Sequence, residues 1–235
     1  MSALPPDTDT RPAPALLSTA SDPSPTPARD EPAAAAVRRR PPPGERRVQI
    51  LQTLAGMLEQ PGAERITTAA LAARLQVSEA ALYRHFASKA QMFEGLIEFI
   101  EQSVFTLVHQ IMERPAEQSG PADGAQRAAR IAALVLQFGE RNPGMVRVMV
   151  GDALVLENER LLQRMNQFFD RIESSLRLCL RPAADAAGAA TPTVDAQVRA
   201  AALCDLVRGR LQRFARSGFR RLPTEHLDAS LQLLV

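Results

Sequence analysis

The chain has 235 residues and two cysteines; 46% of the residues are hydrophobic, 4% are aromatic, and the formal net charge is +2. The hydrophobic share is enough for a packed core, but Val, Ile and Thr never cluster in alternating runs, which excludes an all-β sandwich or barrel. The absence of a long apolar run, of a secretory signal and of a cysteine framework predicts a cytoplasmic protein with no membrane insertion.

The positive charge is concentrated in one segment. Residues 1–37 have a net charge of −3 and residues 92–235 are neutral, whereas residues 38–91 hold nine basic side chains against four Glu, a net charge of +5. Such asymmetry indicates a polyanion as partner, most commonly nucleic acid, although a solvated basic face would have the same composition.

Residues 1–43 contain eleven of the eighteen prolines and end in Arg38, Arg39 and Arg40 followed by three prolines. Such a segment cannot bury enough apolar surface to offset its ordering entropy, so a disordered arm is predicted.

From Gly44 onward the apolar residues recur at steps of three and four, which predicts an all-α fold. Ser88 and Gln91 have the spacing of a capping box at the start of a long helix. The Gly-, Pro- and Ala-rich segments 120–124 and 182–192 are predicted as loops. The predicted helices are, in order, one from 48 closed by Pro61-Gly62, two short ones capped by Thr67 and Ser78, a long one from 88 to before Pro115, one over 125–140, one from the Asn142-Pro143-Gly144 break to about 157, a long one that includes 161–179, one from 194 to about 217 and a short one from 224.

The sequence offers little for catalysis. His85, His109 and His226 are far apart, and no pair has the spacing of metal ligands on one helix. Cys179 and Cys204 fall on apolar stripes, where buried structural thiols are expected rather than nucleophiles. There is no phosphate-binding glycine loop and no nucleophile elbow. Neither an enzyme activity nor a metal or cofactor is therefore expected.

Residues 67–86 are the most informative segment. Two helices of up to two turns are joined by Gln76 and Val77, with Leu71 and Leu82 on their inner face and alanines where the helices cross. These are the properties of a helix-turn-helix, whose second helix enters the DNA major groove. An ordinary αα-hairpin would share them, but the coincidence with the +5 segment favours DNA binding.

The run Leu82-Tyr83-Arg84-His85-Phe86-Ala87-Ser88-Lys89 resembles the TetR family, whose hallmark is a Tyr-x-His-Phe-x-x-Lys sequence. Segments 65–69, 77–86, 96–101 and 138–144 resemble the nucleoid-occlusion factors of that family, and the resemblance extends from about residue 45 to the C terminus. It implies an N-terminal helix-turn-helix DNA-binding domain over 44–91 and a C-terminal helical domain, for dimerisation and partner binding, over 92–235. Gln76 departs from the family pattern, since it occupies a turn position where Gly is common.

Several residues of this segment suit contacts with DNA. The hydroxyls and helix N-terminal amides at Thr67 and Thr68 suit a phosphate. The first residues of the second helix, from Ser78 onward, are expected to face base edges. The resemblance implies that Tyr83 and Lys89 hold phosphates on either side.

Residues flanking the motif add to this set. Arg46 and Arg47 can supply backbone or minor-groove contacts. His85 has two interpretations: a DNA contact, or a core-facing, hydrogen-bonded histidine. The candidate DNA-binding residues are Arg46, Arg47, Thr67, Thr68, Ser78, Glu79, Ala80, Tyr83, Arg84, His85 and Lys89.

Two apolar stripes in the C-terminal half predict a homodimer. In TetR-like dimers two such helices of each subunit form a two-fold four-helix interface, which the resemblance favours here. Both stripes could instead pack within one subunit. They consist of Val198, Ala201, Cys204, Val207, Leu211 and Phe214, and of Met165, Phe168, Ile172 and Leu176.

The resemblance implies an antagonist of septum formation over the nucleoid. Proteins of this type bind spaced chromosomal palindromes and, when DNA-bound, engage the C-terminal tail of the tubulin-like division protein FtsZ. The resemblance places that tail in a groove between the fourth and fifth helices, at Phe99, Leu134, Arg141 and Asn142. An apolar groove that ends in an Arg fits an extended peptide with hydrophobic and acidic residues.

The alternative is a ligand-responsive transcriptional repressor of the TetR type. A ligand pocket needs convergent polar groups inside an apolar cavity. The fifth predicted helix presents apolar residues instead, among them Ile131, Val135 and Phe138. This favours the first function over the second.

Overall fold

The computed structural model describes residues 44–60, 66–113 and 121–234, and every regular element in these ranges is helical, which confirms the all-α class. None of the described helices is both long enough and apolar enough to cross a lipid bilayer. A 3₁₀ turn spans Asp152–Leu154. The helices are α1 (Glu45–Leu58), α2 (Thr68–Arg74), α3 (Glu79–Tyr83), α4 (Lys89–Met112), α5 (Pro121–Arg141), α6 (Pro143–Met149), α7 (Glu159–Ala186), α8 (Pro192–Arg216) and α9 (Leu227–Gln232).

Helix α1 packs against α2 and α4, and α2 packs against α3. The inner face predicted from the apolar spacing is confirmed, since Leu71 of α2 and Leu82 of α3 are both buried. Phe86, directly after α3, is buried with them. Ser88 caps α4 by accepting from the Gln91 N–H, while Gln91 Oε1 accepts from the N–H at 87, one residue earlier than in a capping box.

Helices α4, α5, α7 and α8 build the main core. A guanidinium N–H of Arg127, near the start of α5, donates to the carbonyl of Met112 at the end of α4, so these two helices run antiparallel. Arg177, late in α7, donates to Gln197, early in α8, so α7 and α8 are antiparallel as well. The last turns of α8 therefore lie beside the first turns of α7.

Residues 121–124 and 182–186, which were predicted as parts of loops, are helical instead, whereas residues 187–191 form the predicted loop between α7 and α8. Pro121 is the first residue of α5, a position at which proline costs no hydrogen bond. Gly124 lies within α5, at a point where this helix passes close to α7. A Cβ there would overlap the backbone of Cys179, so the glycine allows the close approach. Helix α7 continues through Pro182 to Ala186, where alanines favour the helix.

The helix predicted to reach residue 157 ends early. Helix α6 stops at Met149, and Gly151 takes a left-handed conformation with φ of 85° that a helix cannot accommodate. The predicted arm, residues 1–43, and the Pro61-Gly62 turn lie outside the described residues.

Candidate DNA and partner surfaces

The turn between α2 and α3 is tight. Gln76 has a φ of 55°, in the left-handed region, which costs a non-glycine residue about 1–2 kcal/mol. Backbone hydrogen bonds hold it: the Gln76 N–H donates to the Ala73 carbonyl at 3.1 Å, and the Val77 N–H donates to the Ala72 carbonyl at 3.0 Å. Gln76 thus adopts the conformation for which glycine is common at this position.

The N-terminal end of α3 faces solvent with its side chains in defined positions. Ser78 caps the helix by accepting from the Ala81 N–H at 3.3 Å. The Thr68 hydroxyl donates to Glu79 Oε2 at 2.6 Å, which fixes one carboxylate oxygen and links α2 to α3. Thr67 caps α2 by accepting from the N–H at 70. The exposed residues among the candidates for DNA contact are Arg47, Thr67, Ser78, Glu79, Ala80, Tyr83, Arg84 and His85.

His85 is exposed, so the core-facing interpretation is wrong. The backbone carbonyl of His85 accepts from Arg47 Nη1 at 3.0 Å. The Arg47 guanidinium also stacks over the Phe86 ring at 4.1 Å. Arg47 therefore ties the start of α1 to the residues that follow α3, while Arg46 bonds within α1, to Gln49.

Lys89 has a partner that the sequence did not indicate. Its ammonium lies 2.5 Å from Glu157 Oε1, and it is 5.7 Å from the centre of the Phe93 ring. The Lys89 side chain is 31% exposed and that of Glu157 is 10% exposed. The loop before α7 is thereby linked to a candidate phosphate contact, and the two residues are 68 positions apart in the sequence, too far for any local pattern to pair them.

A partly apolar surface lies where α4 and α5 meet. The rings of Phe99 and Phe138 meet with centroids 6.4 Å apart, and Phe99 remains 46% exposed. Leu107 is exposed two turns further along α4, and Leu134 is half-buried one turn before Phe138 on α5. Phe138 thus joins the predicted residues Phe99 and Leu134 at this surface.

Arg141 and Asn142 lie at the end of α5, one turn beyond Phe138. Arg141 is exposed, whereas Asn142 is half-buried. Asn142 Nδ2 donates to the Phe138 carbonyl at 2.8 Å, so this amide already closes the end of α5.

Most of the residues in the two stripes proposed for the dimer interface lie inside the subunit. Cys204, Val207, Leu211 and Phe214 are buried on α8, and so are all four named residues of the α7 stripe, whereas Val198 is exposed and Ala201 is half-buried. The prediction that these stripes form the dimer surface is therefore wrong for all of them except Val198 and Ala201. The buried residues pack α7 and α8 onto the other helices of the subunit.

The outward faces of α7 and α8 carry a different set of apolar and small residues. Leu178 is 61% exposed and Val198 is 63% exposed. Ala202 and Gly209 follow Val198 on the same face of α8, and both are exposed. This face has apolar side chains flanking positions at which a second helix can approach closely.

Both cysteines are buried free thiols, as predicted. Burial raises the pKa of Cys204 from 9.0 to about 11, and it raises that of Cys179. Within the described ranges no three His, Cys, Asp or Glu side chains are grouped closely enough to hold a metal ion.

Comparison with protein families identifies both halves of the chain. Residues 50–96 match the model described as bacterial regulatory proteins of the tetR family. Residues 123–235 match the SlmA-like model described as the tetracyclin repressor-like C-terminal domain.

Individual proteins give the same result. The chain is 50% identical, over 80% of its length and 93% of the relative's, to the nucleoid occlusion factor SlmA of Photobacterium profundum, and equally so to that of Vibrio cholerae serotype O1. Among solved structures, the TetR family transcriptional regulator PfmR from Thermus thermophilus is similar at 20% identity, with a TM-score of 0.62 over 79% of this chain and 93% of PfmR. The structural likeness supports the TetR-like fold.

Proposed function

We propose that this chain, which belongs to the TetR family and within it to the nucleoid occlusion factors, binds chromosomal palindromes as a homodimer and, when bound, holds the C-terminal tail of FtsZ. Assembly of FtsZ is thereby antagonised, and no septum forms over the nucleoid. The site of action is the nucleoid in the cytoplasm. Residues 44–91 act as the DNA-binding domain and residues 92–235 as the dimerisation and partner-binding domain.

The exposed end of α3 is the observation that carries the DNA-binding proposal. Ser78, Glu79 and Ala80 are exposed at the N terminus of a helix whose opposite face is buried, as a recognition helix requires. Glu79 keeps one carboxylate oxygen to accept from a cytosine amino group, because Thr68 occupies only the other. Tyr83 at 46% exposure can reach a phosphate.

The dimer is proposed through the outward faces of α7 and α8, in place of the buried stripes. Val194 and Val198 on α8 and Leu178 on α7 are exposed apolar side chains. Two copies that pair these helices bury these three residues of each subunit. The small residue Gly209 permits close contact near the axis.

The groove between α4 and α5 fits the tail of FtsZ. Phe99, Leu134 and Phe138 provide its apolar walls, and Arg141 supplies a positive charge at one end. A peptide with alternating apolar and acidic residues meets both features. Asn142 contributes through its amide oxygen, since its amide nitrogen is held by the Phe138 carbonyl.

The proposal is tested by separating the two surfaces. Arg141→Asp should weaken binding of an FtsZ tail peptide about tenfold or more, because a charge-assisted hydrogen bond contributes about 1.5 kcal/mol even at the low end. The same variant should bind DNA normally. Tyr83→Phe should do the reverse; it is preferable to Thr67→Ala, which also removes the cap of α2.

Fluorescence anisotropy reads both interactions, with the tail peptide and with a duplex selected by the wild-type chain from a random pool. Unchanged peptide binding by Arg141→Asp would reject the groove. Absence of peptide binding by the wild type, together with release from DNA by a small molecule, would establish the repressor alternative. The wholly apolar contribution of Ile131 and Val135 to the core gives no support to a ligand pocket along α5.

A further inference from the structure

The segment that follows α8 is held in a fixed shape by a buried arginine. Arg210 is only 9% exposed. Its Nη1 donates to the carbonyls of Pro223 and Glu225, at 3.0 and 2.6 Å, and its Nη2 donates to the Ser230 hydroxyl at 2.6 Å. Three hydrogen bonds from one guanidinium thus attach residues 223–230 to α8.

The first residues of the segment are equally constrained. The Ser217 hydroxyl accepts from the backbone N–H groups of Arg220 and Arg221, at 3.1 and 2.9 Å. Phe219 has a left-handed φ of 62° and packs on Phe214 with ring centroids 5.1 Å apart. These contacts therefore fix the backbone position of Arg220 and Arg221.

These constraints gather four exposed arginines at one place. Arg213 and Arg216 come from the last turns of α8, and Arg220 and Arg221 come from the segment after it. Two neighbouring cavities, of about 410 and 450 Å³, share Arg213 and Arg221 in their walls. We refer to these four residues as the arginine cluster.

The cluster is not neutralised by its surroundings. Among the described residues, no carboxylate is within ion-pair distance of any of the four guanidinium groups, although Glu225 lines the larger cavity. Four like charges at close quarters repel one another, and the repulsion is relieved when an anion binds among them. The sequence carries this charge locally, since residues 208–221 hold six Arg and no Asp or Glu, although residues 92–235 as a whole have no net charge.

The cluster lies at the end of the C-terminal helical domain (residues 92–235) that adjoins the N-terminal helices. Glu157, just before α7, pairs with Lys89. Leu162 in the first turn of α7 and Gln212 of α8 line a common cavity, and Gln212 also lines the cavity that holds Arg213. The start of α7 and the residues just before it therefore lie between Lys89 and the α8 side of the cluster.

We infer that the arginine cluster is a second DNA site that binds backbone phosphates between the two half-sites. The inference rests on the proposed function: when α7 and α8 pair across a two-fold axis, the clusters of both subunits lie near that axis, between the two helix-turn-helix units. Guanidinium groups bind phosphate oxygens in pairs and read no sequence, so the cluster adds affinity and salt dependence without changing the preferred operator.

The salt dependence of DNA binding tests this inference. Arg220→Gln/Arg221→Gln should reduce the slope of log K against log salt by at least about 1.8, which corresponds to one fewer phosphate neutralised by each subunit at about 0.9 per phosphate. The control variant Arg130→Gln/Arg181→Gln makes the same charge change on exposed arginines of α5 and the far end of α7, and its slope should remain that of the wild type. Both are measured by anisotropy with a duplex selected by the wild-type chain.

The outcomes separate this inference from the proposed function. Equal slopes for the two double variants, with normal selection of a palindrome, overturn the second DNA site alone. Failure of the wild type to select any palindrome overturns both. Calorimetric titration of pyrophosphate without DNA covers a free anion: tight binding that is lost in Arg220→Gln/Arg221→Gln, with an unchanged DNA slope, assigns the cluster to a small phosphate ligand instead. A shift of the monomer–dimer equilibrium in that variant alone would assign the cluster to the interface.

Discussion

The ion pair between Lys89 and Glu157 makes DNA binding sensitive to a residue that never touches DNA. In the free protein the Glu157 carboxylate pairs with the Lys89 ammonium, which is proposed to bind a phosphate. Lys89 must therefore exchange Glu157 for DNA, at the cost of the pair's own stability. Glu157→Gln removes the charge but keeps the shape, so it should raise affinity for the operator.

The size of the effect follows from the exposure of the pair. Exposed ion pairs contribute about 0.2–1 kcal/mol, and this pair belongs near the upper end because Glu157 is only 10% exposed. About 1 kcal/mol per subunit is about fivefold in affinity, and two half-sites give about 25-fold. The same change should lower the melting temperature by about 2–4 °C, since the folded state loses the pair.

Anisotropy titrations with the selected duplex, together with thermal unfolding, measure both effects. Glu159→Gln is the matched control, because Glu159 is exposed two residues away and makes the same change in net charge. If Glu157→Gln binds DNA no more tightly than Glu159→Gln does, then the pair does not compete with phosphate. Either Lys89 does not contact phosphate, or its ion pair with Glu157 persists in the DNA complex.

Three further predictions test packing, assembly and thiol reactivity. Gly144→Ala should markedly lower the melting temperature because a Cβ there would overlap the backbone of α1, whereas Gly56→Ala, which meets nothing within 4 Å, should raise stability by up to about 1 kcal/mol. Val198→Arg should weaken the dimer in analytical ultracentrifugation, whereas Val48→Arg, at another exposed apolar position on α1, should leave it intact. Cys204 should resist alkylation by iodoacetamide at pH 8 until the chain unfolds. Because burial raises the pKa of the Cys204 thiol from 9.0 to about 11, the contribution of this thiol to the stability of the fold should decrease as the pH rises from about 9 to about 11.

The local signals of the sequence predicted the DNA-reading segment accurately. Thr67, Ser78 and Ser88 cap the helices they were expected to cap, because a side-chain oxygen next to a helical run acts within three residues. Prolines and glycines were poorer guides. Pro121 is the first residue of α5, where proline costs no hydrogen bond. Pro182 lies inside α7, where the alanines that follow it favour continuation of the helix to Ala186.

Residues far apart in the sequence could not be predicted to meet. Lys89 and Glu157 come together only through the path of α5 to α7. The arginines of the cluster are close in sequence, but their arrangement depends on how Arg210 and Ser217 hold the segment after α8. The prediction of the dimer surface was wrong for a related reason. Apolar spacing shows that a face of α8 is buried, but it does not show whether the burial occurs within one subunit or between two.

The two proposed surfaces share one rigid element, which gives a physical reason for DNA and partner binding to depend on each other. Lys89 is the first residue of α4 and Phe99 is ten residues further along, about 15 Å at 1.5 Å per residue. The helix is continuous through this stretch and buried at Met92, Phe93 and Leu96, so it moves as a unit. We expect that a shift of the start of α4, when DNA takes the place of Glu157 at Lys89, is transmitted along the helix to the contact between Phe99 and Phe138. A tail peptide should then bind the DNA-bound subunit more tightly than the free subunit, which anisotropy with and without the selected duplex measures.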